Sequence, residues 1–142
     1  MPEKDDGSIK TLAILKEIDG RREEAEDILN RNIEEMSNHA GRWARDHSYY
    51  FKCVLAEILL ARNDLDSIDK VINLLEPECN KDLVGEANYY MARAWLFKHN
   101  TKSVERHLRA AATLRRKWIM KAKHDPGFKS YDDLDELISQ YV

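Results

Sequence analysis

Aligned on Ala13, Ala56 and Ala92, the chain shows the same apolar columns at fixed distances from each alanine. One residue earlier stand Leu12, Leu55 and Met91; twelve later stand Ala25, Ile68 and Val104; sixteen later stand Leu29, Ile72 and Leu108. Three later, Lys16 breaks a column that Leu59 and Trp95 keep. A small residue on one helix lets a second helix approach closely, and the later apolar pair closes the seam. Such a pattern demands helix pairs, folded back on themselves and repeated. The intervals are 43 and 36 residues, against about 34 for the commonest helix–turn–helix repeat.

Taken in order, the spacing predicts seven helices and no strand. Residues 1–7 read as a flexible N-terminus. The first helix starts at Ser8, a good N-cap, and ends at Gly20 in the C′ position. The second spans 21–36 with Ala25, Ile28, Leu29 and Ile33 on one stripe, and 37–42 is a loop. The third covers 43–62, and the fourth covers 67–75 and is stopped by Pro77, which leaves Cys79 in a loop. The fifth covers 82–98 and the sixth 101–123, ended by Asp125-Pro126-Gly127. Ser130 and Asp133 have capping-box spacing and open a last helix over 131–141. The domain plan is therefore pairs at 8–36, 43–77 and 82–123 within a repeat domain of 8–129, and a capping helix at 130–142.

Five Gly and three Pro in 142 residues supply too few turns for a many-stranded sandwich or barrel, so the fold class is all-α, an antiparallel helix array. The polar start and the short apolar runs predict neither a signal peptide nor a membrane span. Two cysteines, Cys53 and Cys79, make no secreted disulfide framework, and the expected location is cytoplasmic.

At this point the columns resemble those of the tetratricopeptide repeat, in three degenerate copies over about residues 8–123. Gly20-Arg21-Arg22-Glu23-Glu24-Ala25 and Asn63-Asp64-Leu65-Asp66-Ser67-Ile68 resemble that family's turn into its second helix. Trp118, Ala122, Asp125-Pro126 and Phe128 resemble the segment that often closes such arrays. The chain departs from the family in having no Gly at the small first-helix position and an aromatic three residues later only at Trp95. The resemblance implies a right-handed superhelix whose first helices line a concave groove for a peptide or partner helix. Carried over, the groove residues are Lys10, Ile14 and Glu17, then Tyr50, Cys53 and Glu57, then Glu86, Tyr89 and Arg93. The places that clamp a C-terminal carboxylate in some family members hold Lys10, Ile14, Val54, Glu86 and Tyr90, of which only Lys10 fits.

The expected function is thus a non-catalytic scaffold or adaptor that binds another protein, with no cofactor. Charge suggests a second reading. Residues 1–36 carry a net −5, whereas 102–124 carry +7 through Lys102, Arg106, Arg109, Arg115, Arg116, Lys117, Lys121 and Lys123 against Glu105 alone. A basic helix can track phosphates. The blander account is a solvated helix face neutralised by the acidic tail Asp132, Asp133, Asp135 and Glu136, in keeping with a net charge of −3. A self-associating scaffold is a third reading. The five histidines lack zinc-ligand spacing, and no phosphate loop, nucleophile elbow or His-Glu-X-X-His helix occurs. Neither a metal nor a catalytic residue is expected.

Overall fold

The computed structural model describes residues 5–142, and the described residues form eight α-helices and one 3₁₀ turn, with no strand among them. They are α1 (Asp6–Ile18), α2 (Arg22–Ser37), α3 (Arg42–Arg62), α4 (Leu65–Cys79), α5 (Glu86–Phe97), α6 (Thr101–Leu114), α7 (Lys117–His124) and α8 (Leu134–Ser139). The 3₁₀ turn, Pro126–Phe128, follows α7. No helix among the described residues is long and apolar enough to cross a membrane. The chain divides into two compact units, Met1–Ala61 and Arg62–Val142.

In the first unit α1 packs on α2. Helix α1 begins two residues before the expected Ser8, because the Asp5 carboxylate accepts from Ser8 N at 2.6 Å and is the true N-cap. Residues 5–7 are therefore ordered by a cap rather than frayed, and residues 1–4 of that expectation lie outside the described residues. Ala13, Ala25 and Leu29 are fully buried.

In the second unit, neighbouring helices pack in chain order: α4 on α5, α5 on α6, α6 on α7 and α7 on α8. Its core contains Ile68, Val71, Leu75, Met91, Ala92, Val104, Leu108 and Ile119.

The repeat register extends into the backbone. Seven residues after each aligned alanine stands a residue of positive φ: Gly20 at 79°, Asn63 at 56° and His99 at 59°. Each ends its helix in the left-handed conformation. Arg21 N reaches Lys16 O at 2.9 Å and Asn100 N reaches Trp95 O at 3.0 Å, the long bond of a Schellman motif at both sites. The following helices are capped by Asp64, which accepts from Ser67 N at 2.8 Å, and by Asn100, which accepts from Ser103 N at 3.1 Å. All three alanines are wholly buried.

Further element boundaries differ from the expectation, and α4 itself starts at Leu65 rather than at 67. Helix α4 continues past Pro77 to Cys79, whose thiol donates to Leu75 O at 3.3 Å. Helix α5 starts at Glu86 rather than Asp82. The Asp82 carboxylate instead accepts from Val84 N, Gly85 N and Asn88 N and satisfies the start of α5 from outside. The expected basic helix 101–123 is two helices, because Arg115 is extended (φ −148°, ψ 117°). An unbroken helix would set Arg115 on the same stripe as Leu108, Ala111, Trp118 and Ala122, and a buried unpaired guanidinium is too costly to keep. The break leaves Arg115 exposed while Trp118, Ile119 and Ala122 are buried. The last helix shrinks to six residues, with Asp133 as an N-cap that makes no side-chain bond.

Candidate functional site

The predicted groove residues fall in different surroundings. In the first unit Lys10, Ile14, Glu17 and Tyr50 are half-buried and Glu57 is exposed. Glu17 lies 3.9 Å from Arg22, and Tyr50 stacks edge-on against Phe51. Cys53, in contrast, is buried at 3% exposure and lines no open surface. The first unit also presents a residue that the columns did not single out. Trp43 is 60% exposed at the start of α3, with its ring 4.3 Å from that of His47. His47 Nδ1 is in turn 2.6 Å from Asp6 Oδ2, which anchors this aromatic pair to α1.

In the second unit the groove assignment of Tyr89 is overturned. Its side chain is fully buried, packed between the rings of Trp118 at 5.2 Å and Phe128 at 5.3 Å. Its hydroxyl donates to Asp125 Oδ2 at 2.5 Å. Burial first, and then the Asp125 carboxylate, push the phenol well above its usual range, so it remains a neutral donor. Tyr89 is thus the centre of a small core closed by residues some thirty positions later. Trp118 completes this core by donating from Nε1 to Val84 O at 2.7 Å.

Around this core lies a half-open polar face. Arg93 Nε stands 3.8 Å from Asp125 Oδ2, and Asp125 Oδ1 accepts from Gly127 N at 2.8 Å. Lys121 Nζ sits over both rings, 5.3 Å from Tyr89 and 5.4 Å from Trp118, and Lys117 Nζ lies 4.8 Å from Trp118. Glu86, half-buried one turn before Tyr90, accepts from the Tyr90 hydroxyl at 3.1 Å. Of the predicted residues, the structure therefore places Arg93 and Lys117 around this core, while Glu86 is held by Tyr90 of its own helix. It adds Asp125 and Lys121, which spacing alone could not connect to α5.

The predicted basic residues are not equivalent. Lys102, Arg106, Arg116 and Lys117 are exposed, but Arg109 is tied to Glu105 of its own helix by two bonds of 3.0 and 2.9 Å. The acidic tail expected to neutralise this segment makes no direct pair with it, although Asp133 and Glu136 share a groove with Arg109. Among the described residues, Asp132, Asp133, Asp135 and Glu136 form no ion pair with this segment. Tyr131, Leu137 and Ile138 instead go to the core, while Asp133 and Glu136 line a shallow polar groove of about 230 Å³ beside Glu105 and Arg109.

One buried polar cluster escaped the sequence altogether. Asp82, Asn88 and His107 are each under 10% exposed. Asn88 Nδ2 donates to Asp82 Oδ2 at 2.9 Å and to Cys79 O at 3.3 Å, while His107 Nδ1 donates to Asn88 Oδ1 at 2.9 Å. That leaves His107 Nε2 to accept from Arg106 at 3.2 Å, a neutral imidazole with its tautomer set by its partners. Desolvation, and then the Arg106 charge, lower the imidazole pKa to about 4. Burial likewise lifts the Cys79 thiol to about 12, with the Asp82 charge adding to it, so it is a poor nucleophile. The cluster binds the α4–α5 connection to α6. Both cysteines are free thiols, and among the described residues no group of His, Cys, Asp or Glu is placed to hold a metal ion.

Searches against protein-family models, curated proteins and solved structures found no match to this chain.

Proposed function

We propose that the chain is a non-catalytic, tetratricopeptide-like interaction module that docks a peptide or helix of another protein on the open faces of its hairpins. One observation carries this reading. The buried alanine, the left-handed residue seven later and the buried pair at twelve and sixteen later recur three times in register. Chains built this way spend one helix face on stacking and leave the other as a binding surface. The contact residues within the first unit are Trp43, Tyr50, Glu57, Lys10 and Glu17; those within the second are Glu86 and Arg93. Trp43 supplies an aromatic anchor, and the charges set register.

Tyr89 is not a usable probe, because replacing it would collapse the core. The test is selection of peptides from a displayed library by the purified protein, followed by anisotropy titration of the enriched peptides. Trp43→Ala with Glu57→Lys, both exposed, is expected to weaken binding by at least about tenfold, the loss of one anchor and one charge contact. Circular dichroism should be unchanged. Failure to enrich any peptide, or equal affinity for both proteins, would overturn the reading.

A further inference from the structure

Two helices of this chain carry complementary charged residues that form no ion pair among the described residues. On α2, Glu23, Asp27 and Glu34 fall at helical spacings of four and seven and share one exposed face, where Arg31 stands between Asp27 and Glu34 and leaves Glu23 and Asp27 as the acidic pair. Their neighbour Glu24 is paired with Lys16 and Arg21, but Glu23, Asp27 and Glu34 form no ion pair among the described residues. On α7, Lys117 and Lys121 share a face at a spacing of four, with exposed Arg116 beside them, and these cations also lack an ion pair. Both lysines are held over aromatic rings, which fixes their ammonium groups in place and reduces the entropy lost on binding an anion.

We propose that the α7 stripe of one molecule binds the α2 stripe of a second copy of this chain. Several observations favour this occupant over a nucleic acid. The N-terminal segment 1–36, which contains most of α2, carries a net −5, and the protein as a whole is negative, so a polyanion would meet net repulsion away from α7. The acidic stripe also supplies carboxylates at the same four-residue spacing as the lysines, so Glu23 and Asp27 can meet Lys121 and Lys117 one for one. Because the two stripes differ, the contact either occurs twice across a two-fold axis, giving a closed dimer, or is heterologous and propagates. This inference is independent of the peptide-docking faces, and either can fail without the other.

Sedimentation velocity over a concentration series at low salt tests it. The wild type is expected to rise above its monomer mass of 16.6 kDa as concentration increases, and to return to it in about 1 M salt, where screening acts within about 3 Å. Lys117→Glu with Lys121→Glu, and separately Glu23→Lys with Asp27→Lys, should each remain monomeric. An equimolar mixture of these two variants should associate again, because each now presents the charges the other needs. That recovery would also show that both variants are folded. A wild type that stays at the monomer mass overturns the proposal, as does a mixture that fails to associate. Tight, salt-sensitive binding of a single-stranded RNA oligonucleotide by a monomeric wild type would also overturn it, and would give the α7 charges to nucleic acid instead.

Discussion

Gly20 and Gly85 both hold left-handed backbone, at φ 79° and 96°, yet they answer to different constraints. A Cβ at position 20 would meet nothing within 4 Å, whereas one at position 85 would lie 2.5 Å from the Trp118 ring and 3.0 Å from Ala111 O. Gly20→Ala should therefore cost only the strain of its φ, about 1 kcal/mol. Gly85→Ala adds overpacking against an immobile indole and should cost roughly 2–4 kcal/mol in urea unfolding. His107 makes a second prediction, about pH. Its folded-state pKa of about 4 lies below the ordinary 6.5, so the unfolded chain binds more protons between those values. The stability that the neutral imidazole confers is present above about pH 6.5 and declines as pH falls toward 4, by up to about 3 kcal/mol. His107→Asn keeps a donor for Asn88 and removes the titration. Its urea midpoint should be lower at pH 7 but flatter between pH 6.5 and 4. An equal slope in both proteins would place the pH dependence elsewhere.

The helix hairpins owe their turns to local chemistry, and for that reason their positions were legible. Gly20 announces a left-handed residue, and Ser, Asp or Asn before an apolar run announces a cap; Asp64 and Asn100 fill the capping role in the structure. Asp64→Ala and Asn100→Ala should each lower stability by about 1 kcal/mol, within the range of 0.5–2 found for such caps. Thermal melts of the two single variants and the double variant would check this, with near-additive losses expected because the caps belong to different helices. What the periodicity could not show was decided by contacts distant in sequence. The apolar stripe through positions 108 to 122 is interrupted at Arg115, but an interruption alone does not tell a solvated residue within one long helix from a break between two. The cost of burying one guanidinium creates that break. Tyr89 looked like a groove residue because Arg93 lies one turn away on the same face. Trp118, Asp125 and Phe128, which enclose it, have no periodic relation to α5. The Asp82–Asn88–His107 cluster was equally invisible, since no spacing rule links a loop carboxylate to a histidine twenty-five residues on.

At the scale of the whole molecule, the division into units Met1–Ala61 and Arg62–Val142 assigns the C-terminal segment to the second unit, and its contribution can be tested there. Tyr131, Leu137 and Ile138 are each at most 7% exposed, and α8 rests on α7. Burial of side chains of this size stabilises by about 1.5–3 kcal/mol each, an upper figure because the unfolded chain also hides part of them. Against a total stability of about 5–15 kcal/mol, removing all three is a large loss. Deletion of residues 130–142 should therefore lower the melting temperature of the second unit by more than about 10 °C or leave it aggregated. Tryptophan fluorescence reads this unit well, because Trp118 is buried on the helix that α8 covers. Its emission should shift to the red at a lower temperature in the truncated chain. Melts and emission identical to the full chain would show that α8 is an appendage, and that α5, α6 and α7 with the turn at Pro126–Phe128 already close their own core.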